Sequence, residues 1–270
     1  MSCRVGLIGA GHLGRAIAQG LIDAGLRRDM VALSHGGSSR TRQALAEAGL
    51  GDLVADAREL AGWAQMVLYL VRPQDRAVID GLRLRSDALF LSFLAGVAVG
   101  TLPVHPSQTP RVRVMTSTPD TLRAANAIAA AFPPDNPLVD QLLTALGARV
   151  LELSSESDFH AFTALGPGLP VALTMWEGLG HDAGESDIVA LAAEYGLGGW
   201  SEVVAWARTV QPRGLTATQR DAYVAQATTP GGVLEAVARA LASGLSLTVS
   251  LRRGVARSHE LSGSSGGEKS

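Results

Sequence analysis

The first residues whose spacing could do chemistry are Gly9-Ala10-Gly11-His12-Leu13-Gly14, set between the apolar run Val5-Gly6-Leu7-Ile8 and an apolar-periodic segment that begins at Leu13. A tight turn, a close approach of backbone to a pyrophosphate and a close helix–strand contact each call for glycine, and this spacing supplies one at each point. The phosphates would rest on a helix N-terminus, where uncompensated N–H groups and the helix dipole favour negative charge. The expectation is a nicotinamide dinucleotide held by Gly9, Gly11, His12, Leu13 and Gly14. His12 is read as a turn residue beside the cofactor, not as an acid or base.

Cofactor type should be written at the end of the second strand, where an acidic residue would bind the ribose of NAD. Ser34 stands there, followed by His35-Gly36-Gly37-Ser38-Ser39-Arg40. This stretch has hydroxyls and one guanidinium, and no carboxylate to repel a 2′-phosphate. NADPH is therefore preferred over NADH, with Ser34, Ser38, Ser39 and Arg40 selecting it. The competing reading is that Arg40 merely starts the next helix on the solvent side.

The elements that must position these residues follow from apolar periodicity. Val5–Ile8 reads as a strand, and Leu13, Ile17, Leu21 and Ala24 share one face of a helix ending at Gly25. A second strand spans Met30–Ser34, a helix about 41–48, and a short third strand Leu53-Val54-Ala55. Met66–Val71 and Leu89–Leu94 are continuous apolar runs, as parallel strands covered on both faces should be. Arg111–Met115 alternates. Strand and helix signals taken in turn give an α/β, Rossmann-like doubly wound sheet.

After Ser154 the alternation stops. Ser155 and Asp158 have capping-box spacing, and apolar residues recur at helical intervals near 158–181, 185–209, 216–227 and 233–258. The expected organisation is a nucleotide-binding domain over 1–155, an all-helical dimerisation and substrate domain over 156–261, and a disordered Gly/Ser-rich tail over 262–270.

Composition narrows the function classes. A net charge of −2 offers no basic surface for nucleic acid. The single cysteine, Cys3, fits a reducing compartment, and with no visible secretory signal the chain is expected to be cytoplasmic. The apolar stretch 88–99 is too short to span a bilayer, and 159–180 is interrupted by Pro167, Pro170 and Glu177, so no membrane is expected. Six histidines show no metal-ligand spacing, and no metal is expected.

Further segments carry a resemblance. Val71-Arg72-Pro73-Gln74, Ser92-Phe93-Leu94-Ala95-Gly96-Val97, Met115-Thr116-Ser117-Thr118-Pro119, Thr163-Ala164, Thr228-Thr229-Pro230-Gly231-Gly232 and the ending Arg257-Ser258-His259-Glu260-Leu261 come in the order of the motifs of the pyrroline-5-carboxylate reductase family. The chain resembles a divergent member of that family over nearly its whole length. The resemblance implies NAD(P)H-dependent reduction of a cyclic imine, with Val71, Arg72 and Pro73 beside the cofactor. It also implies a helical domain that builds a homodimer or higher homo-oligomer and part of each active site. The glycine loop then becomes the substrate loop, with Thr228, Thr229, Gly231, Gly232, Val233, Leu234 and, from the altered serine–glycine run, Gly168 as its residues. Because Pro230-Gly231-Gly232 precedes a helix, its backbone N–H groups are expected to be free to hold a substrate carboxylate.

Departures from the family pattern bear on the substrate. Gly166-Pro167-Gly168-Leu169-Pro170-Val171 stands where the family has Ser-Gly-Ser-Gly-Pro-Ala, His160 replaces an acidic residue, Ser117 an asparagine and Leu234 a threonine. Polar groups are lost and apolar surface is gained, which points to a modified or bulkier cyclic imine of specialised metabolism. Reduction of pyrroline-5-carboxylate in proline biosynthesis is the alternative, and a non-catalytic dimeric relative the second. Candidate catalytic groups are Thr229, His160 and Tyr223, the latter two as proton donors, although an imine can bind already protonated and leave the acid optional. The only lysine is Lys269.

Overall fold

A computed structural model describes residues 3–263, and the chain divides between Glu152 and Leu153 into two compact units. The first opens with β1 (Val5–Ile8), α1 (His12–Asp23), β2 (Val31–Ser34), α2 (Ser39–Glu47) and α3 (Ala57–Trp63). It continues with β3 (Met66–Tyr69), β4 (Leu89–Ser92), β5 (Arg111–Thr116), α4 (Pro119–Arg123), β6 (Ala127–Phe132), α5 (Pro137–Ala145) and β7 (Ala148–Leu151). The strands form one seven-stranded sheet in the order β2-β1-β3-β4-β5-β6-β7, and only the β5–β6 pair is antiparallel.

Side-chain alternation explains why the central strands read as unbroken apolar runs. Val5 and Leu7, Met66 and Leu68, and Leu89 and Leu91 enter one core, whereas Ile8, Val67, Tyr69 and Phe90 enter the core on the other face. Each such side chain, fully buried, contributes about 1.5–3 kcal/mol, so both faces of the sheet are strongly specified. Gly6 lets α3 lie against β1, since a Cβ there would sit 2.3 Å from Leu60 Cδ2. Cys3 packs at the edge of the first core.

Three sequence expectations change here. Residues 53–55 do not make a strand: Val54 forms a single parallel bridge with Leu33, and Ala55 N–H donates to the Leu33 carbonyl at 2.9 Å. Strands β6 and β7 carry the sheet further than the sequence signals reached. Ala24, expected on the buried face of α1, is the exposed C-cap, and the chain turns away at Gly25 with φ 92°.

The second unit is helical. The Ser155–Asp158 capping box is present, with Ser155 N–H donating to Asp158 Oδ2 at 2.9 Å ahead of α6 (Phe159–Leu165). The long helical segments are broken in two at glycines, giving α7 (Leu169–Gly178), α8 (Glu185–Glu194), α9 (Trp200–Val210), α10 (Ala217–Ala227), α11 (Val233–Ala242) and α12 (Leu247–Gly263). Gly254 brings α12 against α11 and α6, because a Cβ there would lie 2.5 Å from Val237 Cγ2 and 3.2 Å from Ala164 Cβ. Ser262 and Gly263, expected in the tail, are helical; the rest of that tail, with Lys269, lies outside the described residues. Among the described residues no helix is long and apolar enough to cross a membrane.

Candidate functional site

In the first unit the chain leaves β1 for β2 on one side and then crosses to β3 on the other, so the order reverses at β1. Ligands of open α/β sheets bind at the carboxyl ends of strands at such a point. The glycine turn lies there. Gly9 has φ 111°, donates its N–H to the Ser34 carbonyl at 3.1 Å, and would place a Cβ 2.7 Å from the backbone of Leu70. Gly14 would place one 2.2 Å from the Gly9 carbonyl oxygen. Gly11, the N-cap of α1, meets nothing within 4 Å. Two glycines are thus required by the protein's own packing, and the middle one fronts open space. The first turn of α1 has no acidic residue and its N-cap no side chain, so the helix N-terminus suits an anion. These residues fit a dinucleotide. His12 is exposed at the start of α1, and Leu13 is half-buried.

The loop after β2 is ordered by local bonds. Ser34 is buried, Gly37 N–H donates to His35 Nδ1 at 3.0 Å, and Ser38 Oγ accepts from Thr41 N–H at 3.3 Å as the N-cap of α2. Ser38 therefore has a capping duty that the sequence reading had not assigned. Ser39 and Arg40 are exposed in the first turn of α2, which carries no acidic residue.

After β3, Val71 is half-buried, Arg72 is exposed, and Pro73 begins a 3-10 segment that ends at Gly81. A residue missed by sequence reasoning holds this segment: Tyr69 donates its hydroxyl to the Arg76 carbonyl at 2.7 Å and accepts from Ile79 N–H at 3.1 Å. Burial pushes its pKa up to about 12, because the phenolate would lose its hydration. The signal was a lone hydroxyl in an otherwise apolar strand, which needs a partner when buried. Ser117, where the family has asparagine, is also structural: its Oγ lies 2.7 Å from Thr121 Oγ1 and accepts from Ile128 N–H at 3.1 Å.

In the second unit the expected substrate residues fall into two groups. Gly168 and Leu234 are in contact: a Cβ on Gly168 would lie 2.6 Å from Leu234 Cδ2 and 2.8 Å from the Ala164 carbonyl oxygen. The space freed by glycine is thus taken up by leucine, not left open. The loop Thr228–Gly232 leads into α11, whose first residue, Val233, is buried; Thr228 is half-buried and Thr229 exposed. The expectation that its N–H groups are free is corrected. Gly231 N–H donates to Glu235 Oε2 at 2.7 Å, and Gly232 N–H donates to the Thr229 carbonyl at 2.8 Å. Arg257 Nε donates to the Gly231 carbonyl at 2.8 Å from the other side. The overlooked signal was an acidic residue at the third position of the helix, where a side chain reaches back to the preceding turn.

His160 is buried, with Nδ1 2.9 Å from Ser258 Oγ and its ring 4.0 Å from that of His259, so it ties α6 to α12. Tyr223 is half-buried on α10. Neither lines the cavity of about 380 Å³ in this unit, which is bounded by Glu177, Arg208, Arg213 and Arg220 among others. Among the described residues, no three His, Cys, Asp or Glu side chains are grouped to hold a metal ion.

Comparisons with known proteins follow this division. Residues 4–96 match the family model described as NADP oxidoreductase, coenzyme F420-dependent. The whole fold is similar to a 1-pyrroline-5-carboxylate reductase from Streptococcus pyogenes, at 17% identity and TM-score 0.59 over 96% of this chain and 99% of that one. A pyrroline-5-carboxylate reductase from Coxiella burnetii is 21% identical, with TM-score 0.56 over 97% and 99%. The Plasmodium falciparum pyrroline carboxylate reductase, solved with NADP bound, is 16% identical, with TM-score 0.58 over 96% and 98%. The resemblance carried by the motifs is met by the fold of both units.

Proposed function

We propose that this chain is an NADPH-dependent imine reductase related to the pyrroline-5-carboxylate reductases, acting on a modified cyclic imine. The observation that carries the reading is the glycine turn at the reversal point of the sheet, with Gly11 facing open space on an acid-free helix N-terminus. It occurs in a chain whose fold follows those reductases from end to end.

Gly9, Gly11 and Gly14 with the N-terminus of α1 would hold the pyrophosphate, His12 and Leu13 would flank it, and Val71, Arg72 and Pro73 would border the nicotinamide half. Ser34, Ser39 and Arg40 would receive a 2′-phosphate, with Ser38 fixing the start of α2. When bound, the reduced nicotinamide supplies hydride to the electrophilic carbon of the C=N bond. The protein's share is to orient the ring and exclude water. An imine that binds as its iminium needs no proton from the enzyme, consistent with a site whose candidate groups are Thr229, Tyr223 and a tethered His160. Leu234, packed over Gly168, gives an apolar wall and favours an apolar substituent over added bulk at that point. A homodimer, which the family resemblance implies, would offer a cover for exposed Leu179, Leu245 and Val249.

Oxidation of NADPH and NADH is to be followed across five- and six-membered cyclic imines, in wild type and Arg40→Ala. Turnover of at least one imine is expected, with the loss in Arg40→Ala falling on NADPH by about 1–3 kcal/mol more than on NADH. No turnover of any imine would leave the non-catalytic reading, and equal losses for both cofactors would remove Arg40 from the site.

A further inference from the structure

We infer that Glu235 sets the substrate class: its carboxylate fills the anion position of the Thr228–Gly232 loop, so the imine accepted here carries no carboxylate of its own. The inference rests on the imine-reductase reading for its substrate and on the loop's geometry for its mechanism.

Glu235 is the third residue of α11, within the first turn, where negative charge is favoured by the helix dipole. Its side chain turns back to accept the Gly231 N–H at 2.7 Å, while the Gly232 N–H is spent on the Thr229 carbonyl at 2.8 Å. Both donors of the glycine pair therefore have acceptors from the chain itself. The nearby cations do not reopen the position. Arg257 gives Nε to the Gly231 carbonyl and Nη1 to Glu260 Oε2, both at 2.8 Å. Arg239 Nη2 lies 3.3 Å from Glu235 Oε2, but its own side chain is 76% exposed, so solvent screens it.

An incoming carboxylate would have to expel Glu235 from Gly231 or sit beside it, and like charges in contact are a strong means of rejecting a ligand. A carboxylate-free iminium meets the opposite situation, since its positive charge is complementary to Glu235. The adjacent Leu234 then contacts hydrocarbon. The chemistry points to a neutral-side-chain cyclic imine of the 1-pyrroline type, the oxidised form of a cyclic secondary amine.

The test compares kcat/KM for 1-pyrroline and for pyrroline-5-carboxylate, with NADPH, in wild type, Glu235→Gln and Glu235→Ala, with circular dichroism as the check of folding. Wild type is expected to favour 1-pyrroline by at least about tenfold, and Glu235→Ala to move that ratio toward the carboxylate by about tenfold or more, as loss of a charged partner implies. Glu235→Gln, which keeps an acceptor on Gly231 without the charge, should move it by less. Thermal stabilisation by L-proline gives a second readout: none in wild type, and a rise in Tm for Glu235→Ala. A wild-type preference for pyrroline-5-carboxylate, or a ratio unmoved in both folded variants, would overturn the inference. If neither imine is turned over, the wider panel of imines decides the imine-reductase reading, and the proline readout alone decides whether Glu235 blocks the loop.

Discussion

Two of the glycine turns that open helices in this chain are completed in opposite ways. At α1 the N-cap is Gly11 and the third helical residue is Gly14; at α11 the N-cap is Gly232 and the third residue is Glu235. One helix start is bare and the other brings its own carboxylate. Their supports differ as well. The first turn rests on backbone, with a Cβ on Gly9 falling 2.7 Å from Leu70 atoms, whereas near Gly231 the only atom a Cβ would meet is Arg257 Nη2 at 3.7 Å. The turn at Gly9 leans on the backbone that follows β3 and is fixed by the sheet; the turn before α11 leans on its own backbone, a Cβ on Gly232 falling 2.8 Å from the Thr229 carbonyl oxygen, and on the side chains of Glu235 and Arg257, which single substitutions can retune. The contrast explains how one turn can hold its backbone geometry while the other is open to change.

The largest expected effect tests that difference in support. Gly9→Ala combines a left-handed φ with a backbone clash and should cost about 3–5 kcal/mol, whereas Gly231→Ala, strained in φ alone, should cost about 1–2 kcal/mol. Urea unfolding of the two variants measures both, and equal losses would erase the contrast.

Tyr69→Phe comes next, because Tyr69 holds the segment that follows the backbone beneath Gly9. Leaving the Arg76 carbonyl and Ile79 N–H without their partner should cost about 1–3 kcal/mol. The pH dependence has a definite sign. A folded pKa of about 12, above the ordinary tyrosine value of about 10, gives a contribution that is complete below pH 10 and lost as pH rises toward 12. Tyr69→Phe should flatten stability in that window, and identical slopes for the two proteins would contradict the assignment.

The smallest structural effect is expected at Gly11. An added methyl meets nothing, so stability should change by less than about 0.5 kcal/mol, while NADPH affinity falls by about tenfold, or roughly 1.4 kcal/mol. Fluorescence titration beside thermal melting separates the two, and affinity unchanged by Gly11→Ala would mean that the open space is not the pyrophosphate's.

Much of this was legible from residues alone. Strands β3 and β4 announce themselves because burial on both faces leaves nearly unbroken apolar runs, and β5 by its alternation. β6 does not: Ala127, Ala129, Ala130 and Ala131 have little strand preference of their own, and it is the covered sheet that makes them one. In the helical unit the periodicity runs through Gly166-Pro167-Gly168, Gly196–Gly199 and Gly244, so pattern alone joined helices that the backbone breaks. The geometry of the turn after β1 was readable because its glycines act through the backbone. The loop before α11 was readable only in part, since the bonds of Glu235 and Arg257 depend on where two side chains fold back, and a position in sequence does not state that.

The lone Leu33–Val54 bridge has a consequence for the protein in concentrated solution. β2 is the last strand on its side of the sheet, and a terminal strand with bare N–H and C=O groups is a template on which another chain can add. Ala55 takes up the Leu33 carbonyl, buried Leu50 and Leu53 anchor the segment, and Arg28 clamps it through Asp52 and the Gly49 carbonyl. A covering too short to be a strand exposes no new edge behind it, so the sheet ends there instead of inviting a neighbour.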